Sequence, residues 1–356
     1  MALLLAGAVA AVTAANYIVS QLAVWEIDFP GGVDNSNIKW RAFIWILSEL
    51  MLLVSVAMNY LPLYSGVFKF SVALLMLDFF LCLTWLPVGV SKTYGFRSAS
   101  DVFSMTYNGT GAPAGWNWIL SLLFTAGTLT GFDASGHIAE ETKNASVIAA
   151  KGILTSAIAT GVLGFITTIL FLFCTPDLNT VFSLNAPQPF VQIYALALGK
   201  KAGIVMTILA VLGLFAVARD GVLPLSGWIG QVDVQGQPRN AVTVIYVFAA
   251  AMLCTILPSQ VAFTSLVSAG AVPTIAAYGL IALLRLVMTP DRFQSSRFRL
   301  GKYAKPFYVC AAAFNALVFA VDISPFYFPV TAQTFNFAVD KWLRREQILR
   351  AMEVTD

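Results

Sequence analysis

Long, nearly uninterrupted apolar runs alternate with short polar stretches along this chain. A membrane-crossing helix needs roughly 20 mostly apolar residues. By that measure spans are expected near 2–24, 42–60, 67–90, 117–137, 152–174, 203–218, 241–257, 262–287 and 306–324, about nine in all. The first run continues through Tyr17 to Trp25 and has no basic residue before it, so it reads as a span rather than a signal peptide. The run at 203–218 is short, because Arg219-Asp220 follows at once; it barely crosses the hydrocarbon core unless residues from Phe190 onward help. The runs lack the alternation of barrel strands. The pattern therefore predicts an all-α membrane protein, read as one transmembrane domain over 1–356.

Composition agrees. Hydrophobic residues make up 58% of the 356 and charged residues 11%, against roughly a quarter charged in soluble domains. Soluble enzymes, nucleic-acid binders and disordered regulators are excluded, and a net charge of +3 is too small to imply a polyanionic partner. One histidine and four scattered cysteines, with no CxxC spacing, give no expectation of a metal site, a disulfide framework or a membrane-embedded catalytic cluster.

Lys and Arg set the orientation. One set of alternate loops holds eleven of them and the other six, which makes the first set cytoplasmic. The glycosylation triplet Asn108-Gly-Thr110 falls in the second set. The basic tail from Lys341 to Arg350 holds four more and would land outside with nine spans, where a basic amphipathic tail does not belong.

Charges at membrane depth need a reason. Glu49, Asp78, Asp133 and Asp322 qualify; each reads either as a paired or protonated carboxyl or as part of an ion pathway. Asp133 has distinctive neighbours. Three Gly, three Thr and one Ser crowd into Phe124–Gly136. A break near Thr128–Gly131 would free carbonyls toward a polar cavity, while Gly127-Thr-Leu-Thr-Gly131 equally fits a close helix contact through small residues. Beyond it, Glu140, Glu141 and Lys143 form a dense polar loop, and Arg219-Asp220-Gly221 another; bridges between them would make a gate, and solvated loops fit the spacing as well.

Gly131-Phe-Asp-Ala-Ser-Gly-His-Ile-Ala-Glu-Glu-Thr-Lys-Asn-Ala-Ser146 resembles the span-6 and loop signature of the amino acid–polyamine–organocation (APC) permeases, most closely the fungal and plant GABA and bidirectional amino-acid permease branch. Ala218-Arg-Asp-Gly-Val-Leu-Pro224, Ser268–Pro273 and the tail from Lys341 are similar to further parts of that family. The resemblance implies a LeuT/APC-type inverted-repeat helical bundle and a secondary transporter, not an enzyme, that moves amino acids or related amines such as GABA by alternating access. It implies no cofactor, coupling to a proton gradient, and residence in the plasma or vacuolar membrane. Against the family's twelve spans, this chain is expected to begin in span 3, to lack the end of span 8 and to lack span 12, which would explain the misplaced tail. The bundle would then be partial, and the alternative is a non-transporting truncated paralogue. The implied substrate site is the span-6 half, Thr128, Leu129, Thr130, Gly131, Phe132 and Asp133, faced by Asn16 and Tyr17 on the first span. Asp78 is the expected coupling residue, and Glu140, Glu141, Lys143, Arg219 and Asp220 the expected gate. With no span-1 helix end to take a carboxylate, this chain is not expected to move a zwitterion unaided.

Overall fold

The computed structural model describes residues 2–60, 64–129, 145–217, 239–258, 260–289 and 300–324. Among them the regular structure is helical: α1 Ala2–Val24, α2 Ile38–Tyr60, α3 Tyr64–Lys92, α4 Ala99–Ser104, α5 Ala114–Leu120, α6 Leu122–Thr128, α7 Ala145–Cys174, α8 Leu178–Ser183, α9 Pro189–Leu198, α10 Lys200–Val217, α11 Arg239–Leu253, α12 Gln260–Val287 and α13 Ala304–Asp322. Among the described residues five helices are long and apolar enough to cross a membrane, with α9 and the apolar parts of α11 and α12 shorter. The described helices are those of an all-α integral membrane protein.

Two elements differ from the sequence expectation. The stretch expected as one span at 117–137 is divided at Ser121 between α5 and α6, where the Ser121 hydroxyl donates to Trp118 O at 2.6 Å. The second difference is α9. Pro189 pre-sets the first helical turn, and Gly199 (φ 87°) ends the helix in a conformation that non-glycine residues avoid. The short span at 200–217 is thus preceded by a separate helix, not extended by it.

The chain divides into two compact units. The first comprises Met1–Met105 and Leu163–Val267, the second Thr106–Val162 and Ser268–Asp356. In the first unit α1 packs against α2, α9, α10 and α11. Over half of its apolar window is buried (56%), against 22% or less in the four other long apolar helices, so α1 is the inner helix and their apolar faces are left for hydrocarbon. Its small residues explain this. Ala8, Ala11, Ala14 and Ala15 are buried and let neighbouring backbones approach. One apolar core joins α1, α2 and α11 through Val12, Trp40, Ile44, Leu52 and Leu253. A second joins α3, the end of α7, α9 and α10 through Leu86, Val90, Cys174, Ala197 and Met206.

Loops assigned to the non-cytoplasmic side meet at one end of this unit. Lys200 pairs with Glu26 at 2.9 Å, Arg41 donates to Pro258 O at 3.0 Å, and Tyr94 donates to Cys174 O at 2.7 Å. Burial, and then the Cys174 thiol, pushes the Tyr94 phenol up to about 12, which keeps it a donor. In the second unit α6 packs on α13. Gly279 of α12 lies against α13, where an added Cβ would come within 3.1 Å of Asn315 Cβ.

Candidate functional site

In the first unit, α1 turns a polar face toward the second core. Asn16, Tyr17, Ser20 and Gln21 repeat at helical spacing, so they share that side. Ser20 is fully buried. Its hydroxyl donates to Asn16 O at 2.6 Å and accepts the Gln188 N–H at 2.8 Å, which ties the N-terminus of α9 to α1. Gln21 Nε2 donates to Thr207 Oγ1 of α10 at 2.8 Å, and Thr207 in turn donates to Gly203 O at 2.9 Å.

Tyr17 lies in the field of a carboxylate. Asp78 sits mid-way along α3, nine residues after Lys69 and fourteen before Lys92, so about 14 and 21 Å along the axis from the two lysines. Tyr17, Cys82 and Tyr194 all lie within electrostatic reach of Asp78. Cys82 follows Asp78 by one turn, and its sulfur is 3.4 Å from the Tyr194 hydroxyl of α9, where either atom can donate. Tyr194 and Cys82 are each only 5% exposed. The Lys200–Glu26 ion pair is exposed and well away from Asp78 in sequence.

The polar balance of this face is one-sided. Asn16 Oδ1, Gln21 Oε1 and Asp78 Oδ1 are buried acceptors without a hydrogen-bond donor. Buried polar atoms are normally satisfied, and a carboxylate at membrane depth is costly unless something positive accompanies it. A solute rich in N–H donors, or a cation, matches the free groups; a carboxylate-bearing one finds no free donor among them.

The profile of the amino acid permease family matches residues 1–340. The chain belongs to that family. It is 41% identical over 367 residues to the thiamine transporter thi9 of Schizosaccharomyces pombe, an alignment that covers 91% of this chain and 62% of that protein. It is 28% identical over 255 residues to a putative polyamine transporter of Candida albicans, covering 67% and 45%. It is 29% identical over 262 residues to amino-acid permease BAT1 of Arabidopsis thaliana, covering 65% and 50%. The chain thus spans between 45% and 62% of the length of these relatives. These relatives are permeases and transporters, which places the chain with transport proteins rather than enzymes.

Of the residues singled out in the sequence, Tyr17 and Asp78 come together, and Asn16 stands beside Tyr17 on α1. Thr128 is the last residue of α6 and Leu129 follows in a turn. Leu129 Cδ2 lies 3.9 Å from where a Cβ on Gly161 of α7 would stand. Thr130, Gly131, Phe132, Asp133, Glu140, Glu141, Lys143, Arg219 and Asp220 lie outside the described residues. Asn108 is exposed in the loop between α4 and α5. Glu49 has a local partner, since the Trp45 indole N–H donates to it at 3.2 Å. Sequence reasoning missed Ser20, Gln21, Cys82, Tyr194 and Thr207. For Ser20, Gln21 and Cys82 a signal existed: each lies four residues after a polar residue already singled out, Asn16, Tyr17 and Asp78.

Proposed function

We propose that this permease moves an organic cation or donor-rich amine across a membrane by alternating access, with thiamine as the first substrate to test. The observation that carries the reading is the set of unpaired buried acceptors around Asp78: a central carboxylate without a described basic partner and two free amide oxygens, with two phenols nearby. Thiamine brings a thiazolium cation and an aminopyrimidine and carries no carboxylate, so it complements acceptors and leaves no negative end unpaired. The 41% identity to a thiamine transporter supports the same choice. Asp78 would supply the countercharge, and Tyr17 and Tyr194 aromatic faces for a cation. On this reading Thr128–Asp133 are further substrate-binding residues, Glu140, Glu141, Lys143, Arg219 and Asp220 gating residues, and a proton gradient at the plasma or vacuolar membrane would drive transport.

A second reading, an amino acid such as GABA, is favoured by the family profile and by the relatives named amino-acid permeases. It requires donors for the carboxylate, which the free groups around Asp78 do not offer.

The test is saturable binding of labelled thiamine to the purified protein, followed by uptake into proteoliposomes under an imposed proton gradient. Displacement by unlabelled thiamine and not by GABA is expected, with Asp78→Asn weakening binding about tenfold or more, as loss of one charge-assisted contact does. GABA binding without thiamine binding would establish the second reading; binding of neither would refute both.

A further inference from the structure

We propose that Asn108 is an N-glycan acceptor, and that the glycan marks the non-cytoplasmic face of this permease. The inference is independent of the substrate.

The loop from Met105 to Pro113 links α4 to α5. Its sequon, Asn108-Gly109-Thr110, is folded into a tight turn. Asn108 Oδ1 accepts the Thr110 N–H at 3.2 Å, and the Thr110 hydroxyl lies 2.9 Å from the same oxygen. That hydroxyl is also 3.0 Å from Asn117 Oδ1, so its one proton serves either acceptor. A Cβ on Gly109 would stand 2.8 Å from Tyr107 Cε1, so a larger residue there would displace the exposed Tyr107 ring. The amide and hydroxyl that define the sequon are thereby held side by side, while Asn108 itself stays exposed.

The amide nitrogen has the right spare valence. One Nδ2 hydrogen is donated to Ala112 O at 2.6 Å. The other is the one a sugar would replace, so the turn's own bond survives the modification. In the transfer, Nδ2 attacks the anomeric carbon of an oligosaccharide carried on a lipid pyrophosphate. The N–C bond forms as the C–O bond to phosphate breaks. The lipid pyrophosphate leaves with the electron pair, and Nδ2 gives one proton to a base of the transferase.

The loop is also delivered to the right side. It follows Lys92 at the end of α3, where Tyr94 and the end of α7 meet. The Lys/Arg asymmetry makes that side non-cytoplasmic. A surface loop there is where such a glycan is tolerated. The sequence holds a second triplet, Asn144-Ala-Ser146, one crossing further on and so on the opposite side. The two sequons form an internal orientation control, because a transferase confined to one side can reach only one of them.

The experiment expresses the full chain in yeast and compares gel mobility before and after endoglycosidase treatment of the membrane fraction. Wild type is expected to shift by one glycan. Asn108→Gln and Thr110→Ala lose the shift; Thr110→Ser and Asn144→Gln keep it, with the unglycosylated band showing that each variant is made and inserted. No shift in wild type, or a shift lost in Asn144→Gln and kept in Asn108→Gln, overturns the proposal; the second outcome also inverts the topology. Asn108→Gln is expected to leave thiamine binding unchanged, so this result and the substrate result are read separately.

Discussion

Gly89→Ala tests whether α9 is seated as described, and with it the position of Tyr194. Gly89 lies on α3 and faces the last turn of α9. A Cβ there would come 2.5 Å from the Ala197 carbonyl oxygen, 3.0 Å from its carbon and 2.5 Å from Leu198 Cδ2. Comfortable contact is roughly 3.5 Å or more, so the oxygen is about 1 Å too close. The obstacle is backbone, and it cannot rotate away as a side chain would. Leu86, Val90 and Val191 nearby are fully buried and leave no slack. Overpacking of this kind costs about 1–3 kcal/mol, occasionally more; the helix propensity of Ala returns at most about 1 kcal/mol. A net loss of about 1–2 kcal/mol is expected, as α3 and α9 part. The control is on the same helix. Gly66 has nothing within 4 Å of its added Cβ, so Gly66→Ala keeps only the propensity term and should be neutral or stabilising by up to about 1 kcal/mol. The two substitutions therefore carry opposite signs. Domains of 150–250 residues shift by about 2–4 °C per kcal/mol, and a larger chain by somewhat less, so a drop of several degrees is expected for Gly89→Ala. Detergent-solubilised protein unfolds irreversibly, so the measurement is the apparent melting temperature at one fixed heating protocol, read by size-exclusion fluorescence. Because Tyr194 rides on α9, thiamine binding should weaken in the same variant. If Gly89→Ala melts at or above wild type, and Gly66→Ala does not exceed it, the α3–α9 contact is wrong and the Cys82–Tyr194 pairing falls with it.

Three further expectations are independent of that contact. Asp78→Asn should raise or leave unchanged the melting temperature while weakening cation binding, since an ionised carboxylate in mid-membrane costs about 2.5–3.5 kcal/mol on insertion scales; a large fall in stability would mean that Asp78 is structural. Glu26 has φ 56°, a conformation that costs most non-glycine residues about 1–2 kcal/mol, and its exposed pair with Lys200 returns about 1 kcal/mol or less. Glu26→Gly should accordingly not lower the melting temperature, whereas Glu26→Ala, which keeps the strain and loses the pair, should. At the start of α8, the backbone N–H of Thr180, and then its hydroxyl, hold the Asp177 carboxyl below the usual carboxylate range. Because the folded value is the lower one, this cap is fully present above the unfolded value of about 3.9 and is lost as pH falls through the folded value. Amide exchange across Leu178–Ser183 should speed up over that acid interval in wild type and lose the dependence in Asp177→Asn.

What the sequence made legible follows from what each signal measures. Apolar run length reports contact with hydrocarbon, so α1, α2, α3, α7 and α13 were found at nearly their observed bounds. It does not resolve α9, because a ten-residue run cannot span a bilayer alone and therefore reads as a candidate extension of the short run at 203–218. Yet α9 need not span anything. It is seated against α1, α3 and α10, with Val191, Ile193, Tyr194 and Ala197 buried, and its N-terminus is bonded to Ser20. The rule that finds lipid-facing helices thus passes over one that carries a site residue, for the physical reason that one side of α9 is held by protein contacts rather than by length across hydrocarbon. Asp78 and Tyr17 were each legible singly, as polar groups where none should be. Their adjacency was not, because they lie 61 residues apart and no local spacing links α1 to α3. The pairing depends on α9, whose Tyr194 reaches both Cys82 and the field of Asp78. A reading limited to helices that cross must therefore find the charges of such a site and miss the element that closes it.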